Sequence, residues 1–218
     1  MSTSSLSRRS FVGASPLLLA ALARCTASIG EQARFAEAFI VDPDWTAYRP
    51  VLRALIRLIV PLDDPRFPRV PVETFEERLI SMFPLEKEQR FLGLQRTLTL
   101  FDQIDLFPVV SGPLLLEEEK ARDGGGRALA VALRDADGAA WRRFVSDHAI
   151  AGSPAFTELP FPAQEAYWRL WRDSESVVKR EFHSTMKSLV MITVYSADEV
   201  WPAIGYGGPL LQRGRRAP

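Results

Sequence analysis

The sequence predicts an all-α protein: a single irregular helical domain of about seven helices after a cleavable N-terminal signal. Three observations predict it. Apolar residues recur at helical spacing, as in Leu52, Leu55, Ile56 and Ile59 at i, i+3, i+4 and i+7. No alternating apolar and polar run is joined to another by a hairpin turn. Proline falls between the periodic segments, most densely at residues 61–71 (PLDDPRFPRVP).

Composition bounds the function. The chain of 218 residues is long enough for one sizeable core. Its 27 Lys and Arg balance 27 Asp and Glu, so the basic excess typical of a nucleic-acid binder is missing. The single cysteine, Cys25, excludes a disulfide within the chain and any Cys-rich zinc or iron–sulfur site. The two histidines, His148 and His183, form no HExxH pattern or cluster. No catalytic, cofactor-binding or metal-ligating residue is therefore assigned, and a redox cofactor would need a partner to supply its ligands.

The N-terminus reads as an address. Ser7-Arg8-Arg9-Ser10-Phe11-Val12 matches the twin-arginine export pattern: a polar residue, two arginines, any residue, Phe, then an apolar residue. The apolar run that follows, residues 11–23, falls well short of the roughly 20 residues a membrane span needs, and fits a signal-peptide core. Cys25-Thr26-Ala27 and Ala21-Leu22-Ala23 both offer small residues at the two required positions, and cleavage after Ala27 is the preferred reading. Arg24 disfavours a lipid-modified Cys25, because a small residue is wanted there. The expected organisation is a signal at residues 1–27, an arm at 28–44, a helical domain at 45–209 and a disordered basic tail at 210–218.

The elements follow in order. Residues 45–60 read as a helix whose regular part starts near Pro50, since proline suits a first turn. Residues 61–71 are an extended connector, in which Asp63 and Asp64 read as a solvated turn rather than metal ligands. Residues 72–83 form an amphipathic helix with Phe75, Leu79 and Met82 or Phe83 on one side. Residues 85–107 form a longer, bent helix with Phe91, Leu94, Leu98, Phe101 and Asp105 along a stripe, read as a core face. Residues 109–126 read as a turn, a short helix and a flexible link. Gly124-Gly125-Gly126 is no phosphate loop, because no strand precedes it and no GKS or GKT follows.

Residues 127–150 read as two short helices broken at Asp137-Gly138, with Trp141, Phe144, Val145 and His148 sharing a face of the second. Pro162 opens a helix whose apolar face is Ala166, Trp168 or Leu170, and Trp171. Asp173-Ser174 ends it and starts the next. That last helix, residues 174–195, carries Val178, Phe182, Met186 and Leu189 on one face, with Lys179, Arg180, Glu181 and Lys187 around the rest. From 189 to 195 (LVMITVY) apolar residues lie all round, so this end must be surrounded, by its own core or by another chain. A close-packed loop with Trp201, Tyr206 and three glycines follows.

The final quarter of the chain carries a specific pattern. It runs Phe156-Thr157-Glu158-Leu159, then Trp168 and Trp171-Arg172-Asp173-Ser174, then Phe182, Lys187 and Leu189. It ends with Tyr195-Ser196 and Trp201-Pro202-Ala203-Ile204-Gly205-Tyr206-Gly207-Gly208-Pro209. This stretch resembles the gluconate 2-dehydrogenase subunit 3-like family, the small subunits of FAD-dependent glucose–methanol–choline dehydrogenases. Arg8-Arg9 before a first helix ending at Pro61 matches the same layout.

The resemblance implies a non-catalytic subunit with no cofactor of its own. It would carry the export signal for an FAD-dependent catalytic subunit, bind it and help it mature. Some such complexes include a cytochrome subunit. The resemblance implies a periplasmic location, with any membrane association indirect. Tyr195, Trp201, Ile204, Gly205, Tyr206, Gly208 and Pro209 are the candidate partner-binding residues: aromatic side chains anchor interfaces, and glycine lets backbones approach closely. For Trp201 and Tyr206, packing on the chain's own helices is the alternative. Two other readings stay open, a stand-alone periplasmic scaffold or chaperone and an exported hydrolase. The hydrolase lacks a G-x-S-x-G elbow.

Overall fold

Residues 45–82, 92–108, 110, 126–203 and 205 are described by the structure, a computed structural model. They form six α-helices and three single 3₁₀ turns, with no strand among them, so the fold is all-α. Helix α1 spans Arg49–Ile59 after the 3₁₀ turn Thr46–Tyr48, with Pro50 in its first turn. There the missing N–H leaves no helical bond unmade. Val51, Leu52, Leu55 and Ile56 are buried. Along the connector, the Asp64 carboxylate accepts from the Arg66 backbone at 2.9 Å and from its guanidinium at 2.7 and 3.0 Å. This is a local turn, as its composition indicates.

Helix α2 spans Val72–Ser81 and packs on α1. Val72, Phe75 and Leu79 are buried; of the two alternatives for the end of this face, Met82 is 39% exposed just past the last turn and Phe83 lies outside the described residues. Glu76 sits fully buried on the inner face. Its carboxylate accepts from Arg49 Nη1 at 2.7 Å and from Arg53 Nε, so two cations from α1 neutralise it.

Helix α3 spans Leu92–Asp102. Leu98 and Phe101 face the core, as the stripe requires. The helix does not continue to Phe107. Gln103 turns out of helical conformation (φ −82°, ψ 82°) and the chain tightens into a 3₁₀ turn at Ile104–Leu106. That shift puts Ile104 in the core and leaves Asp105 half-exposed, which corrects its expected place on the stripe. Phe91 lies outside the described residues, as does almost all of 109–125.

Helix α4 spans Gly126–Asp147 without interruption, so the expected break at Asp137-Gly138 is absent. The reason is tertiary. Asp breaks helices when its carboxylate competes for nearby backbone groups. Here Asp137 is buried and its carboxylate is engaged by Lys179 and Ser174. Gly138 costs about 1 kcal/mol relative to Ala in a helix interior, which packing outweighs. The helix ends in a Schellman arrangement: Ile150 N–H donates to Val145 C=O at 3.0 Å and Ala149 N–H to Ser146 C=O at 3.3 Å. Ala149 takes the left-handed position (φ 49°) that glycine usually occupies.

A 3₁₀ turn, Phe156–Glu158, leads into α5, Phe161–Asp173, with Pro162 in its first turn. Asp102, at the end of α3, accepts from Thr157 N–H at 3.3 Å and Thr157 Oγ1 at 3.4 Å. The buried face of α5 is Ala163, Tyr167, Trp168 and Trp171. Tyr167, absent from the expected face, is its centre, whereas Ala166 and Leu170 pack at the margin. Helix α6, Val177–Tyr195, returns along α5 and also packs on α1 and α2.

The core is aromatic where α3, α5 and α6 meet. The Phe101 ring lies 4.5 Å from Phe156, 5.1 Å from Trp171, 5.2 Å from Tyr167, 5.4 Å from Phe182 and 5.8 Å from Trp168. Edge-to-face and tilted pairs at such separations add stability beyond area burial. Tyr167 Oη and Trp171 Nε1 are buried in this cluster without a hydrogen bond of regular geometry. Burial pushes the Tyr167 hydroxyl strongly up, and the Trp171 indole acts the other way.

Candidate functional site

The residues singled out by sequence gather where α6 ends. Phe182, Met186, Val190 and Val194 keep one face of α6 in the core. The described residues of the chain itself do not surround the last two turns on all sides. Val190, Thr193 and Val194 are buried, but Ile192 is 48% and Tyr195 55% exposed. The stretch is apolar all round, and one side of it faces outward.

The loop after α6 folds back on the helix end. Ser196 closes the last turn twice, through its backbone N–H at 2.9 Å and its hydroxyl at 2.7 Å, both to Ile192 C=O. Ala197 and Val200 are buried and pull the loop inward. A staircase of short turns continues from Ala197 N–H to Val194 C=O at 3.0 Å as far as Gly205 N–H to Pro202 C=O at 3.3 Å. Gly205 has φ +69°, a left-handed conformation that a side chain would strain. Trp201 is half-buried, and its indole N–H donates to Tyr195 C=O at 2.7 Å. That bond satisfies one of the carbonyls a helix leaves unpaired at its C-terminus.

Helix α2 finishes at the same end. Arg78, in its last turn, meets the Glu199 carboxylate at 3.1 Å. A hydrogen bond from its own backbone N–H, and then Arg78, lower the pKa of that carboxyl from its ordinary value. The ion pair ties the last turn of α2, just before Met82, to the loop that follows Ile192 and Tyr195. The exposure of Met82 and Ile192 carried no sequence signal. Both sit among apolar neighbours and look like core.

The described candidates are Tyr195, Trp201 and Gly205; Tyr195 and Trp201 meet through the indole hydrogen bond, and Gly205 follows in the same run of turns. Ile204, Tyr206, Gly208 and Pro209, the signal residues Ser7, Arg8, Arg9 and Phe11, and the cleavage residue Ala27 lie outside the described residues.

The structure also reveals a polar site that sequence reasoning missed. Lys179, expected on the solvated side of α6, is fully buried. Its Nζ donates to Asp137 Oδ2 at 2.6 Å and to the Phe107 carbonyl, and lies 3.6 Å from the centre of the Phe107 ring. Asp137 accepts in turn from Ser174 Oγ at 2.9 Å, and Ser174 Oγ accepts from Ser176 N–H at 3.0 Å. Burial pushes the Lys179 ammonium below its usual value, while the charge and hydrogen bond of Asp137 oppose the shift. These groups fasten α4 and the segment after α3 to the junction of α5 and α6.

His148 packs at a tilt against Phe144 with ring centres 5.1 Å apart, a core-edge position. His183 stacks on Trp168 at 4.0 Å. Burial, then Arg172 and Lys187, lower its pKa, and Asp173 acts the other way. No three His, Cys, Asp or Glu side chains among the described residues converge as metal ligands. No helix among them is long and apolar enough to cross a membrane. No protein-family model, curated protein or solved structure matches the chain.

Proposed function

We propose that this chain is a non-catalytic small subunit that binds an FAD-dependent dehydrogenase of the glucose–methanol–choline type, escorts it for export and helps it mature. One observation carries the reading. The stretch that resembles such subunits ends a helix whose Ile192 and Tyr195 are left exposed at its close. Exposed aromatic and aliphatic side chains beside a rigid loop suit a protein interface, where a few well-packed anchors supply most of the energy.

The Arg8-Arg9 pattern gives the escort its direction. Twin-arginine export carries proteins already folded, so one signal serves a bound pair. FAD belongs to the partner. Localisation is periplasmic, and membrane association comes through the partner or, where a complex includes one, a cytochrome subunit.

The test is export. With Arg8→Lys plus Arg9→Lys, the flavoprotein partner is expected to stay in the cytoplasm, still bound to this chain. A flavoprotein exported at its normal level by that variant overturns the escort role.

A further inference from the structure

One side of α6 carries Arg180, His183 and Lys187 at i, i+3 and i+7, so the three side chains form a row along the helix. The row borders α5. The half-buried His183 ring sits 4.0 Å from Trp168, and Arg172 follows Trp168 by one turn of α5. Because α6 runs back along α5, Arg172 falls on the Arg180 side of His183 and Lys187 on the other. Burial opposes protonation of the imidazole most, and the charges of Arg172 and Lys187 both reach it and add to the effect.

Negative charge is scarce along this row. Among the described residues, Asp173 is the carboxylate whose charge reaches His183. Asp173 already accepts from Arg172 Nε and Nη2 at 2.7 and 2.8 Å. An exposed pair of this kind stabilises little, and a guanidinium has five N–H donors, so Arg172 Nη1 still has its own two to offer. Glu165 pairs with Arg169 at 3.6 Å. Arg180 donates from Nη1 to the Ser174 carbonyl at 2.6 Å, a neutral acceptor that leaves its charge uncompensated. Among the described residues, no hydrogen bond or ion pair holds Lys187 or the His183 ring nitrogens.

We propose that this edge of α5 and α6 binds a tetrahedral oxyanion of the phosphate class, held by the His183 imidazolium together with Arg172, Arg180 and Lys187, while Trp168 covers one face of the imidazole. The donors reach His183 from both sides along the helix. A carboxylate has two oxygens in one plane and serves fewer of them than a tetrahedral anion does. Protonated His183 donates from both nitrogens, so protonation and anion binding favour each other. The site stands about 18 Å along α6 from Tyr195 and needs no partner subunit.

The test follows the His183 Cε1–H signal of the full chain by NMR against pH, in sodium sulfate and in sodium chloride at equal ionic strength. The signal is assigned by its loss in His183→Phe. Sulfate stays a dianion over this range, so only the protein titrates. The His183 pKa in sulfate is expected to lie about one unit above that in chloride, the low end of the effect of an opposite charge in contact. The difference should disappear with Arg172→Gln plus Lys187→Gln. Equal values in the two salts overturn the proposal, because screening alone then explains any effect of salt. A difference that survives the double substitution overturns it too. So does an equal rise in sodium acetate, which would assign the edge to carboxylates.

Discussion

Lys179 Nζ lies 2.6 Å from Asp137 Oδ2, with both side chains enclosed by the fold, across 42 residues of sequence. An isolated ion of either sign costs several kcal/mol to bury, so each makes the other tolerable. Lys179→Met leaves a buried carboxylate without the cation that faces it. A loss of about 3–5 kcal/mol in unfolding free energy is expected. Asp137→Ala, which strands the ammonium, should cost a similar amount. The double variant Lys179→Met with Asp137→Leu should cost much less than the sum of the two, as urea denaturation of all four proteins will show.

Glu76 rests on a different balance. It is fully buried, but its two partners, Arg49 and Arg53, reach it from the edge. Glu76→Gln keeps the shape and removes the charge that both guanidiniums share. A cost of about 1–3 kcal/mol is expected, from the range for charge-assisted hydrogen bonds. The urea midpoint should fall while the slope stays constant, since α1 and α2 still pack.

His183 gives the fold a pH dependence of known sign. Its folded pKa lies below 6.5, because burial and the nearby Arg172 and Lys187 disfavour the imidazolium. Attraction of an imidazolium to the Trp168 face acts the other way and makes the effect smaller. As pH falls through 6.5, the unfolded chain takes up the proton first. Stability therefore falls with pH from 6.5 down to the folded pKa and levels off below it. His183→Phe should remove this part of the slope in thermal unfolding measured across that range. A slope unchanged by the substitution would show that another group is responsible.

These sites mark the limit of what the sequence made legible. The extents of α1, α2 and α5 followed from apolar period and from proline at Pro50 and Pro162, because those signals are local. The aromatic stripe through Leu98 and Phe101 was legible for the same reason. Lys179 was not. Its acceptors are 42 and 72 residues away in sequence, and an isolated lysine on an amphipathic helix reads as solvated. The same distant pairing hid the continuity of α4, where Asp137-Gly138 has the local form of a break. At the end of α6 the apolar residues were plain, but which of them face outward depends on how α2 and the loop pack. Of the candidate site, sequence therefore supplied Tyr195, Trp201 and Gly205, and the structure added Ile192 and Met82.

The most direct measurement is affinity purification of this chain from its native locus, with flavin absorbance and mass spectrometry of what accompanies it. Co-purification of an FAD-containing oxidoreductase is expected. It should be lost with Ile192→Asp plus Tyr195→Asp, while the helical circular dichroism of the variant stays unchanged. A colourless protein that purifies alone, from cells whose flavoprotein dehydrogenases are still exported when this gene is deleted, would contradict the small-subunit role.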